Sequence, residues 1–211
     1  MSHLVKITAE DLWKRNSDTA GACLAHPFVQ GIGSGDLSVE CFQIYVAQDA
    51  YFLESFARAY ALALAKSPDR EGVVVFKDLL VGVFEELTLH EAYAARWGVS
   101  LEAEPRPSTS AYCDFLLRTA SLEPVGHIAA AMAPCLRLYA FLGQQLMPKL
   151  NPESPYREWV ETYSSHDLET LALRLEGLLD RFGGEPARLK QLYRRAMELE
   201  LAFFQAVWDL Q

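Results

Sequence analysis

The sequence predicts an all-α protein of one domain, residues 1–211, and three observations carry that expectation. Apolar residues recur at three- and four-residue spacing over long stretches. No stretch keeps the two-residue alternation of a strand between turn residues. The interruptions fall at helix-capping residues, glycines and prolines. Seven or eight helices are expected, with no internal repeat or low-complexity tract.

Thr8-Ala9-Glu10-Asp11 has the form of a capping box and opens a first helix carrying Leu12, Ala20 and Cys23 on its apolar side, ending near His26-Pro27. Residues 28–36 hold three glycines and read as a loop. Ser38 caps a long helix to about Lys66, roughly 42 Å at the standard rise. A second long helix runs from Asp69 to Trp97 and stops at Gly98, a natural C′ glycine. A proline-bearing connector over 100–108 leads to a helix starting at Ser108 or Thr109. Glu123-Pro124 starts an apolar helix reaching Leu150, kinked or loosened at Pro134, which has no N–H to donate. A short helix over 156–163, one from Asp167 to Phe182 stopped by Gly183-Gly184, and one from Glu185-Pro186 onward complete the chain.

Hydrophobic residues make up 51% and charged residues 22%, as in a soluble globular protein. The net charge of −9 without a basic cluster excludes nucleic acid as a partner, since phosphate binding requires a positive footprint. Met1 to Lys6 leads into polar sequence without the apolar core of a signal peptide, and no uncharged apolar run approaches the ~18 residues of a membrane span, so a cytoplasmic protein is expected. Cys23, Cys41, Cys113 and Cys135 show neither CxxC nor metal-ligand spacing, so reduced thiols are the default.

The polar residues that fall on apolar faces are the candidates for function. Asp49 lies among Tyr45, Phe52 and Phe56, where a carboxylate requires either a structural partner or a chemical task. In the last helix, Glu198 falls on the polar side, whereas Glu200 shares the apolar side with Ala196, Phe203 and Val207. Cys135 follows Pro134 and has Tyr139 one turn on, on the same face. Glu86 and His90 are spaced i, i+4, which suits a metal, but no second copy of the pair exists and a hydrogen-bonded or solvated pair is the plainer reading. Together with Tyr112, Tyr163 and Phe203, these residues make an aromatic pocket suited to a flat heterocycle, with a thiol and two carboxylates for covalent catalysis.

His26-Pro27-Phe28-Val29-Gln30-Gly31-Ile32-Gly33 and Tyr45-Val46-Ala47-Gln48-Asp49-Ala50-Tyr51-Phe52-Leu53 closely resemble the opening of the TenA family, the thiaminase II or aminopyrimidine aminohydrolase proteins. The likeness continues in register through Glu85-Glu86, Leu89-His90, Tyr93, Tyr112, Pro134-Cys135, Tyr139, Trp159, Tyr163 and Glu200. It implies a haem-oxygenase-like helical bundle without haem, metal or other cofactor, assembled as a homotetramer. It also implies hydrolysis at the aminomethyl group of a 4-amino-2-methylpyrimidine, or of thiamin, to the hydroxymethyl pyrimidine. By the same resemblance, Cys135 is the nucleophile, Asp49 holds the ring nitrogen and amino group, and Glu200 moves protons. Tyr45, Phe52, Tyr112, Tyr139 and Tyr163 line the substrate. Many family members have a tyrosine at the position of Phe52 that hydrogen-bonds the cysteine, and commonly Trp at that of Phe204. Two other readings are an aminopyrimidine-binding or regulatory protein without turnover and a metal-dependent oxidase using Glu86, His90 and His166-Asp167.

Overall fold

The computed structural model describes residues 6–209. Residues 1–5, part of the Met1–Lys6 stretch expected to lack a signal-peptide core, lie outside them, as do residues 210–211. Ten α-helices and one 3-10 turn follow one another, with no strand among the described residues. They are α1 (Ala9–Arg15), α2 (Ser17–Ala25), α3 (Pro27–Ser34), α4 (Val39–Lys66), α5 (Arg70–Trp97), α6 (Pro107–Leu122), α7 (Val125–Leu146), α8 (Arg157–Tyr163), α9 (His166–Phe182) and α10 (Pro186–Trp208). The 3-10 turn Met147–Lys149 extends α7.

Most boundaries follow from local chemistry. The Thr8 capping box forms in both directions. Ser38, Asp69 and Ser165 each accept a backbone N–H at the start of α4, α5 and α9. Gly98 closes α5 in the left-handed conformation, φ 67°.

Ten helices, rather than seven or eight, arise from two departures. The first expected helix is divided at Asn16, whose Nδ2 donates to the Leu12 carbonyl at 2.7 Å while its backbone leaves helical geometry. The expected glycine loop is helix α3. The His26 ring nitrogen Nδ1 accepts the Phe28 N–H at 3.2 Å, Pro27 occupies the first turn, and Phe28, Val29 and Ile32 are buried. Burial of that apolar face outweighs glycine's poor helix propensity. Gly33 instead permits close packing, since a Cβ there would lie 2.9 Å from Leu146 Cδ2.

Helix α7 continues through Pro134 and lies inside the bundle against α9, α10, α6 and α8. With the 3-10 turn, Val125–Lys149 is apolar and long enough to cross a membrane, although Arg137 interrupts it, so that it is not an uncharged run of that length. Its apolar surface is used in packing, 72% of the apolar window being buried. Arg137, its charged residue at mid-length, is held by Glu169 and Glu176 of α9 at 2.8 and 2.7 Å. The buried apolar side chains form one cluster, in which α4 also packs on α5 and α6. Gly143 brings α7 against the backbone of α8 at Tyr163 and Ser164, where any Cβ would collide. That contact sets Tyr163 beside Tyr139, their ring centroids 4.8 Å apart.

Candidate active site

Five helices turn one residue stripe each toward a common centre. On α4 the stripe is Tyr45, Asp49, Phe52, Phe56 and Tyr60; on α7, Cys135 and Tyr139; on α8, Trp159 and Tyr163; on α10, Glu200 and Phe203. The α5 stripe, Leu79, Val83, Glu86, His90 and Tyr93, falls at i, i+4, i+7, i+11 and i+14, so two polar residues stand on a buried face.

Between them lies a cavity of about 230 Å³. Asp49, Phe52, Cys135, Tyr139 and Tyr163 are in its wall, and so are Glu86 and Tyr60. Tyr112, Glu200 and Tyr45 stand one layer behind. The Tyr112 hydroxyl donates to Glu200 Oε1 at 2.7 Å, and Glu200 is hydrogen-bonded to the Cys135 thiol. Tyr45 accepts the Trp159 indole N–H at 3.2 Å and is hydrogen-bonded to Tyr139. Phe52, which brings no donor, packs its ring 4.7 Å from Tyr112 and stacks on Phe56 at 5.2 Å.

Asp49 finds its partner on the neighbouring helix. Its Oδ2 accepts from His90 Nε2 at 2.8 Å, while His90 Nδ1 lies 2.9 Å from the backbone carbonyl of Glu86. Burial alone would lower the His90 pKa, but the hydrogen bond to Asp49 and its charge more than reverse this and raise it to about 9. At neutral pH the His90 ring is therefore protonated, and it engages one of the two Asp49 oxygens.

The other acids have no cation as direct partner. Burial pushes Glu200 up to about 7 against the opposing hydrogen bonds from Tyr112 and Cys135. Glu86 reaches about 7 through burial and the Asp49 charge, opposed by His90 and by the hydrogen bond that Tyr163 donates to Glu86 Oε1. Burial first, then the charges of Glu200, Glu86 and Asp49, hold the Cys135 thiol well above the ordinary thiol value. The resting site thus carries one fixed ion pair, two carboxyls near neutrality and a protonated thiol.

The Glu86/His90 spacing does not make a metal site. Both imidazole nitrogens are engaged within the protein, and no group of three or more His, Cys, Asp or Glu among the described residues is placed to hold a metal ion.

A family model described as TENA/THI-4/PQQC matches residues 13–210. The chain belongs to this family. An aminopyrimidine aminohydrolase of Halalkalibacterium halodurans is 33% identical over 214 residues, which cover 96% of this chain and 94% of that protein. The mitochondrial bifunctional TH2 protein of Arabidopsis thaliana is 31% identical over 92% of this chain, which spans 36% of that longer protein. Among solved structures, a protein described as a TenA family transcription regulator from Silicibacter sp. TM1040 superposes with a TM-score of 0.88 at 28% identity, covering 98% of this chain and 99% of that one. A Shewanella denitrificans domain described as having a heme oxygenase-like fold superposes at 0.76 with 12% identity, covering 96% and 93%, a likeness of fold alone. The all-α, haem-oxygenase-like architecture implied by the residue pattern and the resemblance is the one found.

Two residues of the cavity wall, Glu86 and Tyr60, are not among the candidate site residues that the sequence offers. The i, i+4 spacing of Glu86 and His90 suits a metal or, more plainly, a hydrogen-bonded or solvated pair, and Tyr60 is not a candidate. The signal for Glu86 was its place on the apolar stripe of α5. For Tyr60 it was the continuation of the α4 stripe eleven residues beyond Asp49.

Proposed function

We propose that the chain hydrolyses the exocyclic C–N bond of a 4-amino-5-aminomethyl-2-methylpyrimidine, releasing ammonia and the hydroxymethyl pyrimidine, with Cys135 as nucleophile. The observation that carries this reading is the shared wall of Asp49 and Cys135, with Glu200 hydrogen-bonded behind the thiol. Asp49, oriented by its hydrogen bond from His90, accepts a hydrogen bond from the exocyclic amino group. Tyr139, Tyr163 and Phe52 supply aromatic faces for a flat ring. The cavity lies just below the ~300–1,000 Å³ of ordinary ligand pockets, which suits a single substituted ring better than intact thiamin.

The thiol is neutral at rest, so Glu200 takes its proton as sulfur adds to the electron-poor ring. Electron density returned from the ring expels the amine from the methylene carbon. Water adds to that carbon, the S–C bond breaks, and the sulfur recovers its proton from Glu200. The relatives named aminopyrimidine aminohydrolase support the substrate class.

The test is chromatographic separation of pyrimidines after incubating the aminomethyl substrate, and thiamin in parallel, with wild type and Cys135→Ser. Hydroxymethyl product from wild type and none above background from Cys135→Ser is expected. Equal product from both would remove Cys135 from the chemistry. One observation favours a second reading, a binding protein without turnover: the thiol lies well above its ordinary pKa and Phe52 offers it no donor. Tight pyrimidine binding by wild type with no product would establish that reading.

The assembly is read as the homotetramer that the resemblance implies. Exposed apolar residues on α5, Val81 at 48% and Phe84 at 57%, suit burial against other copies, and sedimentation equilibrium tests it.

A further inference from the structure

The proposed hydrolysis moves protons at two places, and Glu200 serves one of them. Its carboxylate is committed to the thiol and to Tyr112, behind the cavity wall. The exocyclic methylene is the second place, because an amine must gain a proton to leave and the arriving water must lose one. Glu86 is a part-buried carboxyl in the cavity wall, shared with Cys135 and Asp49, and the steps given so far do not use it. The Tyr163 hydroxyl donates to its Oε1.

Resting on the hydrolase reading above, we propose that Glu86 is the catalytic acid and base at the exocyclic methylene, separate from the Glu200 that serves the sulfur. As an acid it gives its proton to the amine nitrogen while the C–N bond breaks and the bonding pair leaves with ammonia. As a carboxylate it then takes one proton from water while the water oxygen bonds to the methylene carbon. The carboxyl ends protonated as it began, and the sum is CH2NH2 plus H2O giving CH2OH plus NH3.

The surroundings of Glu86 fit a group that changes protonation near neutrality. Asp49 from α4 raises its pKa and His90 on its own helix lowers it, with the Tyr163 hydroxyl of α8 also lowering it; burial is the largest influence and the outcome is about 7. Cys135 from α7, Tyr60 from α4 and Glu200 from α10 also feel its charge, and Asp167 from α9 lines the same cavity. Asp49, by contrast, has His90 as a direct hydrogen-bond partner at 2.8 Å.

Leaving-group chemistry separates this role from a structural one. The thiazolium of thiamin departs as neutral thiazole and requires no proton, whereas the amine does. For full-length Glu86→Gln, kcat on the aminomethyl pyrimidine should fall by about 10²–10⁴, the usual worth of positioned acid–base catalysis, and the loss on thiamin should be at least about tenfold smaller. In wild type, the rate on the amine substrate should decline on the alkaline side of about pH 7 as Glu86 loses its proton, and this limb should vanish in Glu86→Gln. Equal losses on the two substrates, or an unchanged alkaline limb, would overturn the proposal.

If wild type does not cleave thiamin, the alkaline limb on the amine substrate decides. If Glu86→Gln does not fold, Tyr163→Phe gives the second readout. Removing the donor raises the Glu86 pKa, so the alkaline limb moves to higher pH, and an unmoved limb contradicts the role. Absence of product from wild type would end the hydrolase reading itself, a result distinct from normal turnover by Glu86→Gln.

Discussion

Asp49 and Glu200 are both carboxylates buried to within 4% exposure, on helices that meet at one cavity, yet their partners differ in kind. Asp49 is paired with an imidazole raised to about 9 and therefore has a cationic partner at neutral pH. Glu200 is bonded to a phenol and a thiol, both neutral, and is pushed up to about 7. A buried acid with a cationic partner can orient a ligand. A buried acid with neutral partners can exchange a proton at physiological pH. The identity of the partner, rather than the depth of burial, separates the binding role from the proton-transfer role.

Removing the proton-transfer member breaks this contrast most severely. Glu200→Gln keeps the shape and the Tyr112 contact but cannot take the thiol proton, so kcat should fall by about 10²–10⁴ with little change in product affinity. In wild type, the acid limb of the rate profile should follow Glu200 ionisation, rising through about pH 7, and steady-state rates across pH check both statements.

The binding member can be perturbed through its partner. His90 has a folded pKa of about 9 above its ordinary 6.5, so its stabilisation is complete below pH 6.5 and is lost as pH rises through 9. The wild-type Tm should therefore fall over that interval, by on the order of 5 °C, and His90→Gln should flatten the fall. Calorimetry at matched ionic strength reads it. The smallest effect concerns Phe52. A phenol there adds a donor near a thiol that already has Glu200, so Phe52→Tyr should change kcat/KM by about fivefold or less, a single net hydrogen bond.

The long helices were legible because their ends are coded locally. Ser38, Asp69 and Gly98 act on the backbone next to them, and the observed ends agree with their positions. Helix α3 was not legible, because Gly31 and Gly33 serve contacts with Leu37 and Leu146 that no local rule reveals. Periodicity separated buried Glu200 from Glu198, which pairs with Arg194 at the surface. It could not supply the bond between Asp49 and His90, forty-one residues apart on adjacent helices, nor the Cys135–Glu200 contact between α7 and α10. Such pairings depend on helix rotation and offset. For the same reason the Glu86/His90 spacing reads as a hydrogen-bonded or solvated pair, or as a metal pair, although the α5 stripe places Glu86 inward.

The most direct test of the division of labour is calorimetric titration of the hydroxymethyl pyrimidine product into Asp49→Asn and Glu200→Gln, with wild type as reference. Asp49→Asn should lose about 1.5–3 kcal/mol of binding, the worth of a charge-assisted hydrogen bond, while Glu200→Gln binds as wild type does. Equal affinity in the two variants, or a loss confined to Glu200→Gln, would contradict the assignment of binding to the Asp49–His90 pair.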